Sequence, residues 1–221
     1  MVSSRKADAC AEAVEEINKA VGRKAAISCP ANIADKAALQ ALVDETNKQF
    51  GKIDVLVCNA ATNPYYGPMS GISDEQFNKI LQNNILANHW LINMCAPQMQ
   101  ARKDGAIILL SSIGGLRGSP VIGAYNVSKA ADMQLARNYA VDLGPDNIRV
   151  NTIAPGLIKT DFARALWEDP KRKAHVEGAL PLRRLGDPDD IAGMAVFLAS
   201  RAGAYTTGQT FVIDGGHMAG A

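Results

Sequence analysis

The sequence predicts an α/β fold, an open doubly wound parallel sheet with helices on both faces, formed as a single domain over residues 1–221. Runs rich in Ile and Val alternate with longer segments of helical period, the pattern of repeated strand–helix units. No internal repeat or low-complexity linker interrupts that alternation, and 48% hydrophobic residues suffice for one large core.

Each element follows from local signals. A helix is expected from about Ala7 to Val21, closed by Gly22 as a left-handed cap, with Lys24 to Cys29 as the strand after it. A second helix runs from about Asp35 to Phe50 and stops at Gly51. Ile53 to Cys58 is a mostly apolar strand of the kind buried on both faces, ended by Asn59-Ala60-Ala61-Thr62-Asn63-Pro64. Ser73 and Gln76 form a capping box for a helix from Asp74 to about Ala101. Asp104-Gly105 then turns the chain into a strand at Ala106–Leu110. Beyond the Gly-rich loop Ser111–Gly123, a helix from about Ala124 to Leu143 leads through Gly144-Pro145 to a strand at Ile148–Ile153. A charged segment covers Asp161 to Arg184. Asp187 as cap, with Pro188 at the first position, starts another helix, and Thr210–Ile213 is the last strand.

Composition narrows the function. Lys+Arg 23 against Asp+Glu 22 leaves a formal charge of +1, with no long run of one sign to attract nucleic acid or anionic lipid. Residues 1–6 lack the apolar core of a secretory signal, and no apolar run approaches the roughly 20 residues that span a bilayer. The expectation is a cytoplasmic protein without nucleic-acid or membrane partners. Cys10, Cys29, Cys58 and Cys95 form no CxxC pair, and His89, His175 and His217 are scattered, so reduced thiols are expected and no metal site.

In an open parallel sheet, ligands bind at the carboxyl ends of strands, which directs attention to the loops after Cys58, Leu110 and Ile153. Tyr125 and Lys129, four residues apart on a helix, share one face. An ammonium close to a phenol favours the phenolate and makes a group that titrates near 10 usable nearer neutrality. Ser111-Ser112 closes the strand just upstream and offers hydroxyls that could polarise a carbonyl oxygen.

Ser112, Tyr125 and Lys129 match the serine, tyrosine and lysine of short-chain dehydrogenases/reductases, with that family's thirteen-residue Ser-to-Tyr separation. Asn59-Ala60-Ala61 resembles the family's Asn-Ala-Gly turn. Asn84, thirteen residues before Pro97, matches the asparagine of its tetrad. Pro155-Gly156-Leu157-Ile158-Lys159-Thr160 is similar to its nicotinamide-holding segment, and Asp214-Gly215-Gly216 to its C-terminal Asp-Gly-Gly.

The resemblance implies a Rossmann-like fold and hydride transfer between a nicotinamide and a carbonyl or secondary alcohol substrate. It makes Tyr125 the general acid/base, Ser112 the holder of the substrate oxygen, and Lys129 a ribose ligand that also lowers the tyrosine pKa. Asn84 would anchor a water relaying protons from Lys129. Cofactor contacts fall on Ser4, Arg5, Asn32, Asn59, Ala60, Tyr125, Lys129, Pro155, Gly156, Ile158 and Thr160. Ser3-Ser4-Arg5-Lys6 offers hydroxyls and cations where an acidic residue would favour NAD(H), so NADP(H) is preferred and NAD(H) stays open. A homotetramer or homodimer is implied by resemblance alone.

The pattern departs from the family in two places. Ala61 stands for a glycine, and no TGxxxGxG precedes Ala7, while Gly114-Gly115 lies after the strand that carries Ser112. The chain is therefore expected to be an N-terminally truncated form lacking the first strand and glycine-rich turn. A catalytically silent interaction protein with impaired cofactor binding is the alternative. Tyr65, Tyr66, Met69, Leu116, Arg117 and a lid from Phe162 to Leu182 could line an apolar substrate pocket. Arg164, Lys171, Arg172, Lys173, Arg183 and Arg184 could meet an anionic carrier or form a solvated face.

Overall fold

The computed structural model describes residues 1–220. The chain opens with α1 (Ala7–Val21) and α2 (Lys36–Phe50), each ended by a glycine in the left-handed region, Gly22 at φ 67° and Gly51 at φ 79°. Asp35 caps α2, its carboxylate accepting from the backbone N–H of Ala37 and Ala38. Next come β1 (Val55–Cys58), α3 (Asp74–Leu81) and α4 (Ala87–Arg102), followed by β2 (Gly105–Leu110) and α5 (Gly123–Leu143). The chain ends with β3 (Ile148–Pro155), the short α6 (Arg164–Trp167), α7 (Pro170–Ala179), α8 (Pro188–Ala199) and β4 (Thr210–Ile213). The four strands form one parallel sheet in the order β1-β2-β3-β4.

The sheet is covered on both faces, as an all-parallel sheet requires. Ile107 and Leu109 of β2 point to one side, into a core with Ile92, Cys95 and Met99 of α4 and Ala136, Tyr139 and Leu143 of α5. Ile108 points to the other side, where Leu198 of α8 and Ile153 of β3 meet it. This alternation fixes register, because a slip by one residue would exchange the two cores.

Three expectations change. The helix predicted from Asp74 to about Ala101 contains a π-helical segment at Gln82–Leu86, placed between α3 and α4. The strand predicted at Lys24–Cys29 is reduced to a parallel bridge between Val2 and Ser28, because the only backbone beside it is the short stretch Val2–Ser4. β1 begins at Val55 instead of Ile53 and is not buried on both faces. Val57 is 47% exposed, since β1 pairs with β2 on one side and opens onto a cavity on the other.

Candidate active site

Strand ends and one long helix assemble the site. β2 runs out at Leu110 and delivers Ser111 and Ser112, while α5 brings Tyr125 and Lys129 alongside. Gly115 permits this approach: a Cβ there would lie 2.7 Å from the backbone of Lys129 and Ala130. The Gly-rich stretch after Ser112 thus lets a loop lie flat on α5. Ser111 adds a tie, its hydroxyl donating to the Lys129 carbonyl at 2.7 Å.

A cavity of about 560 Å³ opens at these strand ends. Ser112, Tyr125 and Lys129 line it together with Asn59 and Ala60 after β1 and Pro155, Gly156, Ile158 and Thr160 after β3. Tyr66, Phe162, Ala163 and Leu166 line it as well, so the segment after β3 does lie over the site, and the Phe162 ring stands 5.9 Å from that of Tyr125. Tyr65, Met69, Leu116 and Arg117 do not line it. The Tyr65 hydroxyl instead donates to the Pro68 carbonyl. Of the cations in the charged segment, Arg164 pairs with Asp161, Lys173 with Glu177 and Arg184 with Asp190.

A second cavity, about 680 Å³, runs along the free edge of β1. Ser3, Ser4, Arg5 and Lys6 form one bank and Val55 to Thr62 the other, and Asn59, Ala60, Ala61 and Phe162 are common to both cavities. An elongated ligand could therefore reach from the hydroxyls and cations at residues 3–6 to Tyr125. Asn59, Ala60, Pro155 and Gly156 are the residues that would hold a nicotinamide, and Ser4 and Arg5 offer a hydroxyl and a guanidinium of the kind that binds a phosphate. Asn32 lines neither cavity; it is exposed, and its Oδ1 accepts from the Ala34 N–H at 3.1 Å. Among the described residues no group of His, Cys, Asp or Glu is arranged to hold a metal ion.

Asn84 lies behind this wall in the π-helical segment, fully buried. Its Oδ1 accepts from the Thr62 N–H at 2.8 Å, and its Nδ2 donates to the Thr62 carbonyl at 3.1 Å and the Ser128 hydroxyl at 3.0 Å. The asparagine ties the loop after β1 to α5. Its own backbone carbonyl accepts from Asn88 Nδ2 at 2.7 Å, and the same Nδ2 donates to Asp132 at 3.0 Å. The route from Asn84 toward Lys129 thus passes through two side chains.

Electrostatics depart from expectation at Tyr125. Its phenol stands above its ordinary value: burial pushes it up, the nearby Asp132 charge adds to this, and a hydrogen bond with Ser112 works weakly the other way. Lys129 does not bring it down. The ammonium is 5.6 Å from the Tyr125 ring centre but donates to the Leu110 carbonyl at 2.6 Å and to Asp132 at 2.9 Å, so its charge is met by a carboxylate. Burial also raises Asp132, against the pull of Lys129 and Asn88. Asp132 and Asn88 escape a motif search. The signal for Asp132 was periodic: an acid on the α5 face that also carries Lys129, Met133, Ala136 and Tyr139 cannot reach solvent.

A family model described as enoyl-(acyl carrier protein) reductase matches residues 1–218. The protein called dehydrogenase/reductase SDR family member 4 from Sus scrofa is 45% identical over 166 residues, 75% of this chain and 60% of the relative. The chain thus spans well under two thirds of that relative's length. A gluconate 5-dehydrogenase from Burkholderia cenocepacia, in complex with NADP and tartrate, superposes with a TM-score of 0.91 at 28% identity, covering 100% of this chain and 85% of that one. A 7α-hydroxysteroid dehydrogenase complexed with NADH and 7-oxo glycochenodeoxycholic acid does so at 0.91 and 35%, covering 97% and 82%. With its parallel α/β sheet and a family match spanning nearly all its length, this chain belongs to the short-chain dehydrogenase/reductase family.

Proposed function

We propose that this protein reduces a carbonyl to a secondary alcohol, or reverses that reaction, with NADP(H) as partner and Tyr125 as the proton-transfer group. The observation that carries this reading is the convergence of Ser112, Tyr125 and Lys129 on one mostly apolar cavity at the carboxyl end of β2. Bound nicotinamide supplies or accepts the hydride. The Ser112 hydroxyl orients the substrate oxygen toward the phenol, and Tyr125, held protonated by its burial, donates the proton that completes the alcohol. Lys129 would hold a ribose hydroxyl of the bound cofactor, and its ammonium, 5.6 Å from the Tyr125 ring centre, helps fix that ring. Asn84 acts from behind by tying Thr62 to Ser128 and so setting the cavity wall.

Ser4 and Arg5 on the second cavity support NADP(H) over NAD(H), since a guanidinium pairs with a 2′-phosphate through two hydrogen bonds. The structural neighbours described with NADP and with NADH leave either choice within reach of the fold. The apolar lining from Ile122, Leu157, Phe162 and Leu166 suits a ketone, an aldehyde or a 3-oxoacyl thioester. The working form is a cytoplasmic homotetramer or homodimer.

The test is a fluorescence titration of the 221-residue chain with NADPH and NADH, followed by nicotinamide absorbance with a panel of ketones, aldehydes and 3-oxoacyl thioesters. Saturable NADPH binding and turnover are expected, with Arg5→Glu weakening NADPH more than NADH. No binding of either nucleotide would instead favour a silent interaction protein.

A further inference from the structure

A carboxylate on the buried face of α5 has no place in the reaction as derived above. Asp132 is 0% exposed and its partner Lys129 2%, in the heart of the molecule. Isolating an ion pair there is costly unless each group finds further hydrogen-bond partners, and both of these do. Lys129 Nζ donates to Asp132 and to the Leu110 carbonyl, while Asp132 accepts from Lys129 on one oxygen and from Asn88 of α4 on the other. Two of the three ammonium hydrogens are thereby committed to groups other than Tyr125. A cation 2.9 Å from a carboxylate acts at a distance as a dipole, so the phenol feels little of its charge.

We propose that Asp132 is a positioning residue that sets the pH at which Tyr125 works, by binding the Lys129 ammonium and cancelling its field at the phenol. This rests on the reading of Tyr125 as the proton-transfer group. The groups around the pair come from every element packed on it. Lys129 and Tyr125 lie on α5, Asn88 and Cys95 on α4, Cys58 ends β1, and Tyr66 and Ser112 approach from the loops after β1 and β2. Asp132 is the only carboxylic acid among these residues and Lys129 the only amine. The arrangement has a direction. With Asp132 ionised the phenol stays protonated, which favours proton donation and hence carbonyl reduction. With its charge removed, Lys129 acts on Tyr125 in full and the phenolate becomes accessible at lower pH, which favours alcohol oxidation.

The test places a fluorinated tyrosine, of lower intrinsic pKa, at position 125 and follows its ionisation by fluorine NMR in the chain without cofactor. Asp132→Asn is expected to move the ionisation down by about one to two pH units, the order of a single-charge coupling in a protein interior with an effective dielectric of about 20. Asp132→Leu, which replaces the charge by apolar volume, serves if the amide variant does not fold. A double variant gives the sharper reading. Asp132→Leu combined with Lys129→Met removes both charges together and should return the ionisation close to that of the parent, whereas Asp132→Leu alone lowers it. An unchanged ionisation in the Asp132 variants, or a double variant shifted down as far as Asp132→Leu alone, would overturn the proposal. Because the titration needs no turnover, it separates from the enzymatic reading: shifted ionisation in a chain inert toward every carbonyl would sink the reaction and leave the Asp132 coupling standing.

Discussion

The two flanks of the sheet are built to different standards. Around β2 and β3 nearly every side chain is buried, both faces are covered by helices, and polar groups such as Ser111, Asn84 and Lys129 have partners within the protein. Around β1 one strand edge faces a cavity, Val55 and Val57 are exposed, and the far bank is a stretch of backbone joined by a bridge at Val2 and Ser28. The residues proposed to transfer the proton stand on the first flank and the candidate adenosine contacts Ser4 and Arg5 on the second. Chemistry that depends on fixed geometry sits where packing over-determines position. Binding of a long ligand reaches across to the region that packing leaves open.

Mutations that remove volume should separate the flanks most strongly. Ile107→Ala in the middle of β2 is expected to cost about 2–5 kcal/mol, because the side chain is fully buried in the core. Val57→Ala on β1 should cost well under half of that, read in the same urea-unfolding series. Equal losses would dissolve the distinction.

A smaller effect comes from pH. Burial holds the Cys58 thiol and the Tyr125 phenol above their ordinary values and pushes Cys95 up to about 12. The unfolded chain releases these protons near 9.0 for the thiols and 10.0 for the phenol, whereas the folded chain keeps them. Each group's contribution is therefore complete below its unfolded pKa and is lost as pH rises, by about 1.4 kcal/mol per unit between the two pKa values. Unfolding free energy should begin to fall near pH 9 and go on falling toward about pH 12. Cys95→Ala should shallow the slope, and a flat profile would contradict the burial of these acids. Least of all, Asp35→Ala at the start of α2 should lower stability by about 1 kcal/mol, the weight of a cap on the open flank, checked by thermal unfolding.

Legibility followed the range of the interactions. Gly22, Gly51, Asp35 and Ser73 fix helix ends through contacts a few residues away, so those boundaries could be read from the chain directly. The Tyr125–Lys129 spacing belongs to the same class. The strand expected at Lys24–Cys29 was not settled locally, because extended backbone depends on what lies beside it. Asn84 was marked by resemblance alone, because its contacts with Thr62 and Ser128 span 22 and 44 residues of sequence. Asp132 meets Asn88 across 44 residues. No spacing rule reports such a pair, although an acid on the apolar stripe of α5 marks where one must exist.

The account turns on Tyr125, and one measurement reaches it most directly. Tyr125→Phe keeps the ring and its contact with Phe162 while removing the hydroxyl. With the nicotinamide absorbance followed on a carbonyl substrate of the parent chain, the variant should bind NADPH as the parent does and lose turnover by about 10²- to 10⁴-fold. A variant that turns over at the parent rate would contradict the assignment of Tyr125 as the proton-transfer group.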